Sequence, residues 1–185
     1  MSTITILRAV GTAALVWTVS CTLRLPAQPP AVTGPEAPSL TFVYEELVTL
    51  GPSRPVGETP QGKRNIVPIT GGSFDGPRLK GKILPGGWDW QLASPGGCFT
   101  VQADYMIQTD DGVIINVRNV GTQCKTSNGN QGALLTSPVF EAPKGKYDWL
   151  NGGVYVGTLE VTSVNRVPAV RIRFYKAVEA ASGRR

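Results

Sequence analysis

The 185-residue chain contains no histidine. That excludes a Ser-His-Asp triad, a Cys-His dyad and a His-Glu-x-x-His metal site. Cysteine is scarce too, with three residues and no Cys-x-x-Cys spacing, so no zinc site is expected. A phosphate-binding loop is also missing. Gly71-Gly72 and Gly86-Gly87 have neither the spacing nor the strand-to-helix setting of one, and no organic cofactor is expected. The formal charge of +5 gives no basic run interleaved with aromatics. Arg8 and Arg24 supply two of those charges, and from Val32 onward 16 basic residues face 13 acidic ones. So mild an excess does not suit a nucleic-acid partner.

Glycine and proline are plentiful, with 22 and 15 residues scattered between apolar runs. That is the composition of a turn-rich β protein. The first 21 residues read as a signal peptide, in which Arg8 precedes the apolar run Ala9 to Val19. The run is too short to span a bilayer as a helix, so no stable membrane span is expected after cleavage. Cleavage is placed near Cys21, or as late as residue 31. Residues 22–39 follow as a proline-rich linker, 40–177 as one β-domain, and 178–185 as a disordered tail. The protein is therefore expected to be secreted or extracytoplasmic. Once Cys21 is removed, Cys98 and Cys124 form an even pair suited to an oxidising compartment.

The most informative segment is the hairpin around Asp110-Asp111-Gly112. On its first strand, Phe99, Val101, Ala103, Tyr105 and Ile107 share one face. Thr100, Gln102, Asp104 and Gln108 share the other. Val113, Ile115 and Val117 continue the apolar face on the second strand, with the period of two expected of half-buried strands. A three-residue loop ending in a left-handed Gly112 fixes a register in which paired residue numbers sum to 222. Asp104 then faces Arg118, and Cys98 faces Cys124 within reach of a disulfide. The turn accounts for both aspartates without a metal.

Further strands are expected over Leu40 to Leu50, Asn65 to Ile69, Arg78 to Leu84, Trp88 to Leu92, Val154 to Val164 and Ala169 to Ala177. Turns are expected at Gly51-Pro52, Gly71-Gly72, Pro85-Gly86-Gly87, Pro95-Gly96-Gly97, Asn128-Gly129 and Asn151-Gly152-Gly153. A short helical turn is expected near Tyr147 to Asn151. The pattern suits an all-β fold, a single antiparallel β-barrel whose closure removes exposed edges.

Several blocks carry a family resemblance: Arg64 to Pro77 (RNIVPITGGSFDGP), Leu84 to Gln91 (LPGGWDWQ), Tyr105 with Thr109 to Gly112, Val117-Arg118-Asn119, Trp149-Leu150-Asn151 and Tyr155-Val156-Gly157. Together they resemble the domain of unknown function 3237 family, small bacterial and fungal proteins, over roughly Leu40 to Tyr175. The resemblance implies an antiparallel β-barrel with an internal cavity. The N-terminal segment and the Cys98/Cys124 pair depart from the family's usual pattern and point away from the cytoplasm.

The candidate chemistry lies with polar residues on apolar faces. Tyr105 and Asn119 share the inward face of the hairpin and need partners, internal or on a ligand. Asp89 and Gln91 alternate with Trp88 and Trp90, so one pair faces inward. Inward tryptophans would suit a flat apolar ligand, and an inward Asp89 would be a carboxyl in a dry pocket suited to acid–base work. Arg118 is a further binding candidate, and Trp149 and Asn151 are placed at a loop that closes the mouth. Two functions follow. One is a cofactor-independent isomerase, lyase or cyclase of secondary metabolism. It would act by proton transfer on a small apolar or aromatic molecule through Asp89 and Tyr105. The other is a non-catalytic, lipocalin-like carrier, whose cavity would lack titratable groups. A surface-binding structural protein, which would show a filled barrel without a cavity, is a third reading. Homo-oligomer formation is left open by the sequence.

Overall fold

The computed structural model describes residues 36–125 and 133–179. The expected signal peptide, its cleavage site, Cys21, most of the linker, the Asn128-Gly129 turn and residues 180–185 lie outside the described residues.

Ten strands follow in chain order: β1 Ser39–Leu50, β2 Arg54–Thr59, β3 Gly62–Asp75, β4 Lys80–Ile83, β5 Gly87–Ala93, β6 Cys98–Thr109, β7 Ile114–Cys124, β8 Leu134–Glu141, β9 Tyr155–Val164 and β10 Val167–Val178. Among the described residues a single 3-10 turn, Asp148–Leu150, falls where helical character is expected, and every pairing among them is antiparallel. Traced from β1, the pairings pass through β10, β9, β8, β7 and β6, cross β4 and β5 to β3, and return to β1. β2 hangs on the outer edge of β3.

The hairpin register is as expected from Cys98↔Cys124 to Gln108↔Ile114. Gly112 takes φ 88°, the left-handed value the turn needs, and its N–H donates to the Thr109 carbonyl at 2.8 Å. Cys98 and Cys124 are joined as a disulfide. Asp104 does stand opposite Arg118, but the pair forms no ion pair. Charges pair elsewhere, as Glu45 does with Arg171 and Arg173.

Three local expectations are corrected. Gly71-Gly72 is a bend inside β3 rather than a turn. It lets β3 pass from β5, paired through Ile69↔Gly87, to β4, paired from Gly72↔Ile83, while β1 runs along its other flank. At φ 138°, Gly72 lies so close to β1 that an added Cβ would sit 2.0 Å from the Leu47 carbonyl oxygen. β2 and β8 have no counterpart in the sequence reading. Pro55 and Gly57 weaken the strand pattern of the first, and Pro138 that of the second.

Inside, one end of the ring is packed with aromatic rings. Tyr44 meets Phe174 at a centroid distance of 4.9 Å and Phe74 at 5.4 Å, and Phe140 meets Tyr155 at 4.9 Å. The tilted and edge-on contacts suit the ring quadrupoles. Below them, Tyr147 and Leu150 are buried, and the Tyr147 hydroxyl donates to Asp111 Oδ1 at 2.9 Å. Asp111 also accepts from Lys146 and Thr109, and these donors hold its carboxyl well below the usual carboxylate range. Its role is thus to clasp the 145–150 segment.

Candidate active site

The other end of the ring is lined by smaller side chains and keeps a cavity of about 100 Å³. Val48 and Leu50 of β1, Leu159 and Val161 of β9, and Val170 and Ile172 of β10 form one apolar wall. The facing wall comes from β5, β6 and β7 and carries the polar groups Asp89, Gln91, Tyr105 and Asn119. Register explains this grouping. Asp89 pairs with Ala103 and Ala103 with Asn119, so the three form one inward row across three strands. An alanine between two polar side chains leaves the space between them open.

Asp89 is held by a chain of donors. Gln91 Nε2 donates to its Oδ2 at 2.8 Å, and the Gln102 N–H to its Oδ1 at 3.0 Å. Gln91 in turn accepts from Asn65 Nδ2 at 3.1 Å, and Asn65 Oδ1 accepts from Ser53 at 2.7 Å. Burial raises the Asp89 pKa, and the two hydrogen bonds oppose that rise without cancelling it. Asn119 is buried, and among the described residues its Oδ1 has no partner, an expense that an apolar wall does not explain.

Tyr105 is buried as well and lines the cavity, while its hydroxyl donates to Glu46 Oε1 on β1. Glu46 is wholly buried, and burial pushes its carboxyl up to about 8 against the lowering effect of the Tyr105 hydrogen bond. The sequence reading does not single out Glu46. Its signal is the apolar neighbours Tyr44 and Val48 on the same strand face, but Glu45 competes for that face by one residue.

The structure thus brings Asp89, Gln91, Tyr105 and Asn119 together and separates the other candidates from them. Trp88 and Trp90 point outward, Trp88 beneath the Arg54 guanidinium at 5.2 Å and Trp90 exposed. Arg118 is exposed on the outer face. Trp149 and Asn151 do not close the cavity mouth. They belong to the opposite, filled end, where Arg78 stacks on Trp149 at 3.9 Å and the Asn151 amide bridges the backbone of Ala142 at 2.7 and 2.9 Å. Among the described residues no group of acidic and cysteine side chains is arranged to hold a metal ion.

Fold and site together define an all-antiparallel strand protein with an apolar cavity that holds a carboxyl and a phenol. The chain belongs to the family described as "Protein of unknown function (DUF3237)", which matches residues 38–177. It is similar to a UPF0311 protein of Rhodopseudomonas palustris, 31% identical over 129 residues that cover 63% of this chain and 84% of the relative. A crystal structure of a β-barrel-like protein from Acinetobacter baumannii superposes with a TM-score of 0.68 at 30% identity, covering 79% of this chain and 99% of the other. A hydroalkoxylation enzyme of Penicillium herquei is 28% identical over 126 residues, covering 67% of this chain and 76% of that enzyme.

Proposed function

We propose that the ring of strands is a closed barrel whose cavity binds a small apolar or aromatic molecule. Asp89 and Tyr105 catalyse a redox-neutral proton transfer on it without a cofactor, in secondary metabolism. The observation that carries this reading is a carboxyl of raised pKa and a phenol in one wall of an otherwise apolar cavity. A plain carrier needs no titratable group in such a wall. Low polarity strengthens each hydrogen bond made there, and a carboxyl whose pKa burial raises is suited to taking and returning a proton.

The named activity of the Penicillium relative asks for that equipment. Adding a hydroxyl across a carbon–carbon double bond removes a proton from oxygen, forms a C–O bond and delivers a proton to the neighbouring carbon. No electrons leave the molecule, so one base and one acid suffice. In this reading Asp89 is the base and Tyr105 the acid, with Asn119 orienting the molecule and Gln91 holding Asp89. The Cys98–Cys124 bond suits an exported protein, since such bonds persist in oxidising compartments.

The test is turnover on a panel of molecules that each carry a hydroxyl and an alkene, with ring closure followed by chromatography. Asp89→Asn is expected to cut kcat by about 10²- to 10⁴-fold while the variant stays folded. Full turnover by that variant would remove Asp89 from the mechanism. Binding without any turnover across the panel would favour the carrier.

A further inference from the structure

The Glu46–Tyr105 pair lies partly outside the site as proposed, because Glu46 does not touch the cavity. Its Oε1 accepts the Tyr105 hydroxyl, and its Oε2 has no partner among the described residues. Hydrophobic neighbours surround it. Phe74 of β3 and Ile172 of β10 stand directly opposite on either flank, and Tyr44 and Val48 precede and follow it on the same face of β1. Tyr44 and Tyr105 are the titratable groups that face it. The charged neighbours Glu45, Arg171 and Arg173 lie on the outer side of the sheet, where they pair with one another. Among the described residues no cation offsets a charge on Glu46.

A phenol has one proton, which points in one direction at a time. With Glu46 ionised, that proton is committed to Oε1, and the phenol oxygen offers the cavity only lone pairs. With Glu46 protonated, the carboxyl O–H can donate to the phenol oxygen, and the Tyr105 O–H is free to turn toward the cavity. We infer that Glu46 is a positioning residue that sets whether Tyr105 meets a bound molecule as a hydrogen-bond donor or as an acceptor. The catalytic consequence rests on the function proposed above. When Tyr105 gives its proton to a bound molecule, its own O–H bond breaks. The Glu46 O–H then passes its proton to the phenol oxygen, and the negative charge ends on Glu46.

The pair can be tested without substrate. In protein labelled at tyrosine Cζ, with the Tyr105 signal assigned by its loss in Tyr105→Phe, the resonance is expected to move with a midpoint near pH 8. In Glu46→Gln the same resonance is expected to stay flat over that range. A flat wild-type signal, or an equal movement in Glu46→Gln, would overturn the inference. Should Glu46→Gln not fold, Tyr105→Phe decides through the labelled Glu46 carboxyl. Loss of the phenol donor is expected to raise its midpoint above the wild-type value, and an unchanged midpoint would overturn the coupling. Failure of the proposed reaction leaves these titrations untouched. A protein that turns over substrate while its Tyr105 signal stays flat keeps the reaction and loses the switch.

Discussion

The two ends of the strand ring obey the same rule and come out differently. At both, alternate residues point inward. At one end they are Tyr44, Phe74, Phe140, Tyr155 and Phe174, and the interior is full. At the other they are Val48, Val101, Ala103, Val170 and Ile172, and a cavity remains. The difference lies in the inward side chains, a packed aromatic cluster at one end against mainly aliphatic and polar groups at the other, since the backbone pairings run through both ends. The full end holds the ring together and lets the other end keep a void.

This contrast can be broken by mutation. Phe174→Ala should have the largest effect, about 3–5 kcal/mol lost in denaturant unfolding, because its wholly buried ring touches both Tyr44 and Phe140. A loss below 1 kcal/mol would show that the full end is not the anchor.

The next effect is pH-dependent and comes from Glu46, between the two ends. Its folded carboxyl lies near 8, above the ordinary value of 4.5, so between those limits the folded state binds more protons than the unfolded one. Stability is therefore fully present below the ordinary value and falls as pH rises through about 8. The slope is at most ~1.4 kcal/mol per pH unit. Unfolding curves across that window should be flatter in Glu46→Gln than in the wild type.

Ala103→Leu fills the open row between Asp89 and Asn119. It should change stability by only about 1 kcal/mol while abolishing small-molecule binding measured by calorimetry. Retained binding would move the ligand site elsewhere. The smallest change expected is that of Tyr147→Phe, which removes one of the two donors that the 145–150 segment offers Asp111 and should cost about 0.5–1.5 kcal/mol with turnover unaltered.

The hairpin was legible because its turn chemistry is local. Gly112 sets the register, and the register carries Cys98 to Cys124. Tyr105 and Asn119 followed from the same register as inward polar groups. Legibility failed where parity was ambiguous. Trp88-Asp89-Trp90-Gln91 reads equally well with either pair inward, and only pairing with Ala103 places Asp89 in the cavity. Glu45 and Glu46 present the same difficulty beside a register shift at Phe42/Tyr44. The mouth assignment of Trp149 and Asn151 failed for another reason. A loop's sequence does not say which end of the ring it returns to.

The pairing of β1 with β10 also orders events in time. Thr49 lies opposite Ala169, 120 residues further along the chain. β1 can pair with β3 as soon as both are made, but its β10 partner comes only when nearly the whole chain has been made, and such long-range closure is slow. Until β10 closes, the apolar wall has neither Val170 nor Ile172, and Glu46 has Phe74 on one flank but no Ile172 on the other. A chain cut short before β10 would keep the hairpin's sequence and its turn, but lose that wall of the cavity.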